Sequence, residues 1–396
     1  MSVKNLITKT KIRIIRISTV PISLNILLKG QLNFLNNYFE IIGISSSGKD
    51  LEDTALREGI KTYSINMERN ISLIRDFISF ILLMRLFLTL KPQIVHSITP
   101  KAGLLSMAAG YFTKVPVRMH TFTGLIFPTR TGFSHWLLKN MDRLTCRFAT
   151  YVIPEGEGVK RDLIRYKITN KTLNVIGNGN VNGVNTTYFS KVSVSNEVLQ
   201  QTREMWQIKP EDFVYIFVGR LVKDKGINEL VAAFKQIQTK KQDVKLILVG
   251  PFEPELDPLQ ELTLNEIKTN PGIITTGFQE DVRPYYSISH CLVFPSYREG
   301  FPNVVMQAGA MGLPSVVTDI NGCNEIIEPE HNGLIIPTKN TKALEEAMLR
   351  IVEESTLTKK LASNARESIL SRFDQGTIWK LIKEEYDKQL NKFNCS

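Results

Sequence analysis

Ten short, continuously apolar runs, separated by stretches of helical periodicity, constrain this chain's fold more than any other feature. In the first half they lie at 13–18, 39–45, 93–97, 117–121 and 173–176. In the second half they lie at 213–218, 244–249, 273–275, 291–294 and 315–318. Runs of this kind lack the alternation of a half-exposed strand, so each reads as a strand buried on both faces. Helical patterns fall between most of them, as at 228–238 and 342–353. Strands alternating with helices mean parallel sheets covered on both sides. Two such sets in 396 residues, too many for one ordinary core, predict two doubly wound Rossmann-like α/β domains. The Gly- and Asn-rich segment Gly177 to Gly183 gives way to a polar stretch at 190–196, which marks a boundary. The expected domains are 1–190 and 191–375, with 376–396 a C-terminal helix that crosses back to the first domain.

Composition narrows the class. The chain is 43% hydrophobic and 22% charged, ordinary for a globular protein. Its four cysteines, Cys146, Cys291, Cys323 and Cys395, are widely spaced and form no Cys-x-x-Cys pair. That argues against a disulfide framework or a zinc site and fits a reducing compartment. Residues 1–11 are basic but have no apolar core and no small-residue cleavage site, so no signal peptide is expected. The net charge of +10 is uneven: residues 1–190 hold 25 Lys and Arg against 11 Asp and Glu, and residues 191–396 hold 24 against 28. A basic first half suits nucleic acid, an anionic membrane surface or a phosphorylated substrate, or is only a solubilising surface. Nucleic acid is disfavoured, because the positive residues are not interleaved with aromatics in a recognition motif. A nicotinamide dehydrogenase is disfavoured too, since no Gly-x-Gly-x-x-Gly follows the first strand.

Two helical segments in the first half are unusual. Residues 71–90 are nearly apolar all round, but Arg75, Asp76 and Arg85 interrupt them. The segment therefore reads as a buried crossover helix rather than a membrane span, with contact to lipid as the alternative. In 132–148, Phe133, Trp136, Leu137, Met141, Leu144 and Phe148 share one face, and His135, Lys139, Arg143 and Arg147 the other. A helix at a membrane interface and a helix packed on its own sheet fit that pattern equally.

The candidate chemistry lies in the second half. The apolar run 291–294 leads into Pro295-Ser-Tyr-Arg-Glu-Gly-Phe-Pro-Asn303, with Asn303 a plausible cap for a following helix. A strand, a glycine-containing loop and a helix start in that order form an anion site, because free backbone N–H groups and the helix dipole both face the loop. Glu299 sits within the loop, where a carboxylate can hold hydroxyls beside a bound diphosphate. A second loop, Gly219-Arg-Leu-Val-Lys-Asp-Lys-Gly226, also leaves a strand and enters a helix. Its glycines let the backbone approach a ligand, and Arg220 and Lys225 offer two cations to a phosphate. Both loops should leave the carboxyl ends of parallel strands, where doubly wound sheets bind ligands.

These residues resemble the retaining nucleotide-sugar glycosyltransferases of family 4. So do Gly277-Phe278, the Asn178–Asn185 segment, His96-Ser-Ile-Thr-Pro-Lys101 and Val117-Arg-Met-His-Thr-Phe-Thr-Gly124. The likeness covers nearly the whole chain and is strongest to bacterial enzymes that extend a lipid-linked oligosaccharide or capsule repeat. It implies the GT-B fold, two Rossmann-like domains facing a cleft. It implies that Arg220 and Lys225 contact the donor diphosphate, that Glu299 contacts the donor sugar, and that Gly219, Gly277, Phe278, Gly300, Phe301, Pro302 and Asn303 line the donor site. The family's second Glu, eight residues after the first, is replaced by Gln307, which retains hydrogen bonding to ribose but not the charge. His120 matches a family histidine at a strand end facing the cleft, and Lys101 and Gly30 fall on the acceptor side. Glu155 and Glu157 look like a carboxylate pair, but the glycines around them suggest a helix start.

The resemblance also implies the partners: a nucleotide sugar, most simply UDP-linked, a polyprenyl-diphosphate-linked saccharide and an anionic membrane surface. The expected location is cytoplasmic, peripheral on the inner face of the cytoplasmic membrane. No Asp-x-Asp follows a strand, so no essential metal and no other cofactor is expected, the diphosphate charge being met by Arg220, Lys225 and the helix near Asn303. Because one fold hosts several reactions, a UDP-sugar epimerase is the alternative.

Overall fold

The computed structural model describes residues 11–68, 72–255 and 257–394; residues 1–10 and Cys395 lie outside it. The chain divides into two compact units. The first holds the described residues up to Glu155, then Val159–Asn182, and the chain from Thr377 on. The second holds Gly156–Gly158 and Gly183–Gly376.

The first unit carries β1 (Arg13–Ile17), β2 (Glu40–Ser45), β3 (Lys61–Ser64), β4 (Ile94–Ser97), β5 (Val117–Phe122) and β6 (Tyr151–Pro154). They form one sheet in the order β3-β2-β1-β4-β5-β6, and every pair is parallel. Side chains alternate across it, so each strand feeds two cores. Ile15, Ile17, Ile42, Ile44 and Val95 pack on one face with Leu83, Phe87, Ala102 and Cys146. Ile14, Ile41, Ile94, Met119 and Ile153 pack on the other with Leu24, Leu32, Ile378 and Tyr386. The last two belong to the terminal helix Gln375–Asn394. A buried polar chain fastens that helix: Arg16 donates through Nη1 to Gln31 (2.9 Å) and to the Tyr386 hydroxyl (2.7 Å). Arg16 has no acceptor, so the Tyr386 proton is free for His96 Nδ1 at 2.7 Å, and His96 Nε2 then donates to Thr121 at 2.8 Å.

Two expectations fail here. Residues 173–176 form no strand: the sheet closes on β6, and this segment runs on as an irregular connection. The helix Leu73–Leu90 is not a buried crossover. It buries only Ser79, Leu83 and Phe87 and turns Leu73, Ile74, Phe77, Ile78, Leu82 and Leu88 outward. One stripe of the helix suffices to cover the sheet. The helix Gly132–Phe148 divides its apolar set: its buried residues are Asp142, Thr145 and Cys146, Phe148 packs partly against the core, and Phe133 and Trp136 stack at 5.7 Å on the exposed side. No helix among the described residues is long and apolar enough to cross a membrane.

The second unit carries β7 (Phe213–Val218), β8 (Val244–Val249), β9 (Ile273–Gly277), β10 (Cys291–Phe294), β11 (Ser315–Thr318) and β12 (Gly333–Ile336). Their order is β12-β11-β10-β7-β8-β9, again all parallel, over one large core. β7 is the first strand of this sheet and lies between β8 and β10, so the chain reverses its winding there. Cys146, Cys291 and Cys323 are buried free thiols.

Candidate functional site

The reversal at β7 and β10 is where a doubly wound sheet opens a crevice beyond its carboxyl edge. β7 and β10 are wholly apolar, and their Phe217 and Phe294 rings stack at 5.8 Å, which fixes the two exits side by side. The loop after β7 closes at Gly226, whose φ is +72°. A Cβ there would lie 2.2 Å from the Pro295 carbonyl oxygen, so only glycine lets this loop rest on the one that follows β10. Tyr297 N–H donates to the Asp224 carbonyl at 2.9 Å and joins the loops again.

The side chains meet at this joint. Lys225 Nζ pairs with Glu299 Oε1 and lies 5.5 Å from the centre of the Phe294 ring. The same Glu299 oxygen accepts from the buried Ser296 hydroxyl at 2.9 Å. Arg220 leaves the same loop but pairs with Glu253 Oε2 at 2.7 Å. Beyond the loop the helix Asn303–Ala310 begins. Asn303 is its first residue, not its cap; Pro302 holds the cap position in extended conformation. The asparagine thus stands in the first turn, at the positive end of the helix dipole. Pro302 has no N–H to offer, and the Phe301 ring is buried against Phe373, so neither of these two side chains is a polar group of the loop. Gly322 braces the loop: a Cβ there would lie 2.6 Å from the Gly300 carbonyl oxygen. Gln307 follows Asn303 by one helical turn, and both are half-buried on the same face.

Gly219 has φ +149° and lies beside Gly250, where a Cβ would meet the Gly219 carbonyl oxygen at 1.9 Å. Gly277 ends β9, the edge strand, and Phe278 follows it. Two strands separate them from β10, about 14 Å at normal strand spacing. They lie beside the cluster rather than in it, and the Phe278 ring is 74% exposed. Sequence reasoning missed Ser296, Gly250 and Glu253. Ser296 carried a signal, a hydroxyl three residues before the carboxylate; Glu253, 33 residues from Arg220, carried none.

In the first unit the residue expected to be catalytic, His120, and the expected acceptor-side residues, Lys101 and Gly30, are all engaged by their own unit. His120 is buried, 2.8 Å from the Ser97 hydroxyl, with its ring 4.5 Å from that of Phe122. A Cβ on Gly103 would meet the ring at 2.4 Å. It stands two residues inside the strand end, and burial pushes its pKa down to about 3 despite the Ser97 hydrogen bond, so the ring is neutral at pH 7. Lys101 is the second residue of the helix Pro100–Phe112, is 7% exposed, and pairs with Asp76 at 2.7 Å. Gly30 lies on the other side of the sheet. Its φ is +81°, its N–H donates to Glu58 at 2.9 Å, and a Cβ would strike the Trp379 ring at 2.6 Å. Close packing under the terminal helix, rather than an open N–H, requires glycine there. Glu157 begins the helix Glu157–Arg165, in line with the helix-start reading.

Comparison with known proteins adds the family. Residues 200–368 match the model for glycosyl transferases group 1, and residues 36–180 match glycosyltransferase family 4. A capsular polysaccharide biosynthesis glycosyltransferase, CapM of Staphylococcus aureus, is 30% identical over 92% of this chain and 94% of its own length. The Escherichia coli UDP-Gal:alpha-D-GlcNAc-diphosphoundecaprenol alpha-1,3-galactosyltransferase is 25% identical over 97% of this chain and 99% of its own. Among solved structures, HepE of Anabaena in complex with UDP superposes with a TM-score of 0.80 at 19% identity, over 96% of this chain and 100% of that one. The two parallel sheets and this structural neighbour make the fold GT-B. The chain belongs to the family 4 glycosyltransferases and is an enzyme of sugar transfer.

Proposed function

We propose that this enzyme moves a hexose or N-acetylhexosamine from a UDP-sugar to a polyprenyl-diphosphate-linked saccharide, with retention, in the assembly of a bacterial surface polysaccharide. The observation that carries the reading is the convergence of Lys225, Glu299 and the start of the helix Asn303–Ala310 at the sheet's reversal, with Arg220 on the same loop. This set matches a sugar diphosphate: cations and N–H groups for phosphate, a carboxylate for hydroxyls. Gln307, one turn along, suits ribose. HepE in complex with UDP and the relatives named for capsule synthesis and for a diphosphoundecaprenol acceptor support the donor and acceptor classes.

In this reading the acceptor oxygen bonds to the anomeric carbon as the bond to the phosphate oxygen breaks, on the same face. The acceptor proton passes to the departing phosphate oxygen, so no protein base is required. Arg220, Lys225 and the helix N–H groups stabilise the charge that grows on the diphosphate. The role of His120 is then that of a neutral hydrogen-bonding ring. The protein groups meet the charge, so the reading calls for no metal.

The first unit's outer surface supports a lipid acceptor. Phe77, Phe80, Phe112 and Phe148 contact one another in series at 6.5, 6.0 and 6.2 Å, linking three helices into one apolar face. Exposed Arg85, Arg143 and Arg147 lie on the same helices. An apolar face with basic neighbours suits peripheral docking on an anionic bilayer, here the inner face of the cytoplasmic membrane. A UDP-sugar epimerase would have no use for it. The test is UDP release from a panel of UDP- and GDP-sugars, with and without a polyprenyl-diphosphate saccharide. Release from a UDP-sugar that requires the lipid is expected; release indifferent to the lipid, or none from any donor, refutes the reading.

A further inference from the structure

Arg220, one of the two cations expected to grip the donor diphosphate, is already held by a carboxylate from a different segment. Glu253 lies on the strap that follows β8, and the strap is fastened to the phosphate loop along its length. Gly250 and Gly219 touch backbone to backbone, as the 1.9 Å Cβ approach requires. Leu221 N–H donates to the Pro251 carbonyl at 2.8 Å, and Leu221 bridges Phe252 in parallel. Further on, Asp224 N–H donates to the Asp257 carboxylate at 2.6 Å. Between these anchors Glu253 Oε2 meets Arg220 Nη1 at 2.7 Å. The contact is therefore built by the backbone and is not a chance meeting of two long side chains. Arg220 is about half exposed, so a ligand phosphate can reach it.

We infer that Glu253 is a built-in counter-ion of Arg220 that competes with the donor diphosphate and speeds the departure of the nucleoside diphosphate product. The inference rests on the proposed placement of the diphosphate at Arg220. A phosphate that takes Arg220 must displace Glu253 or share the guanidinium with it, and the carboxylate then faces a like charge. Once the sugar has left, Glu253 is positioned to reclaim Arg220. Glu253 is thus a positioning residue: it acts on the ligand through Arg220 and touches no reacting atom.

The experiment is calorimetric titration of the full chain with UDP, at low and high salt. It compares wild type with Glu253→Gln, Arg220→Ala, the double variant and Glu255→Gln, the last removing an exposed charge two residues away on the same strap. Glu253→Gln should bind UDP roughly two- to five-fold more tightly, the range of a partly exposed ion pair. The gain should shrink at high salt and vanish in the Arg220→Ala background. Glu255→Gln should gain little. Unchanged or weaker UDP binding by Glu253→Gln overturns the counter-ion role, and so does an equal gain from Glu255→Gln, which would mark a general charge effect. If Arg220→Ala binds UDP as wild type does, the diphosphate placement fails, and this inference with it. Melting temperatures of all variants separate these outcomes from misfolding.

Discussion

Glu299 joins two duties in one side chain. Its Oε1 atom holds Lys225 and accepts from Ser296, which fixes the carboxylate at the joint of the two loops. Under the proposed function Glu299→Ala should remove a sugar contact as well as loosen Lys225, and kcat/KM should fall by about 100-fold or more. The Gln at 307 makes the opposite test. If it holds ribose through neutral hydrogen bonds, Gln307→Glu should remain active with tighter nucleotide binding. A folded but inactive Gln307→Glu enzyme would show that the family's second acidic position has a different role here. A third residue bears on stability. Asp142 is buried in the helix Gly132–Phe148, and desolvation raises its carboxyl from 3.8 to about 7. Between those values the folded chain keeps a proton that the unfolded chain releases. Stability should thus fall as pH rises from about 4 to 7, with the loss complete above 7. Asp142→Asn should flatten that slope and melt higher than wild type at pH 8. A thermal scan across pH that leaves the slope unchanged would contradict it.

Among the elements, the apolar character of the helix Leu73–Leu90 was plain in the sequence, but its destination was not. Hydrophobicity all round predicts burial, whereas the helix uses one stripe for the sheet and leaves Phe77, 64% exposed, outside. In the helix Gly132–Phe148 the apolar set was legible, yet the face turned to the core carries Asp142, Thr145 and Cys146. Periodicity finds a face; it does not say which solvent that face meets. If the outer face docks on lipid, the protein should sediment with anionic vesicles at low salt and release as salt rises, each basic residue near the surface contributing about 1 kcal/mol. Phe77→Asp with Trp136→Asp should abolish sedimentation without lowering the melting temperature. Lys139 is a poor target, since it lies 6.0 Å from the Phe127 ring centre and 5.9 Å from that of Tyr166. No sedimentation at low salt would remove the membrane reading. The strands β3, β6 and β12 escaped the sequence for local reasons: β3 is a polar edge strand, β6 ends in proline, and β12 begins with glycine.

For the whole molecule, the two-sheet plan was legible because parallel strands buried on both faces need unbroken apolar runs, and such runs are conspicuous. The donor loops were legible because a strand, a glycine turn and a helix start occur in fixed order. What joins distant segments was not legible: Glu253 reaching Arg220, Asp76 reaching Lys101 and Trp379 lying over Gly30 depend on the fold having formed. The central claim is that Arg220 and Lys225 hold the donor diphosphate at the reversal of the second sheet. Its most direct test is the steady-state kcat/KM of Arg220→Ala against wild type, with a UDP-sugar and a polyprenyl-diphosphate saccharide. Losing a charge-assisted contact that strengthens in the transition state should lower kcat/KM by roughly 100-fold, with an unchanged melting temperature because the side chain is half exposed. Near wild-type turnover by a folded Arg220→Ala enzyme would contradict the account.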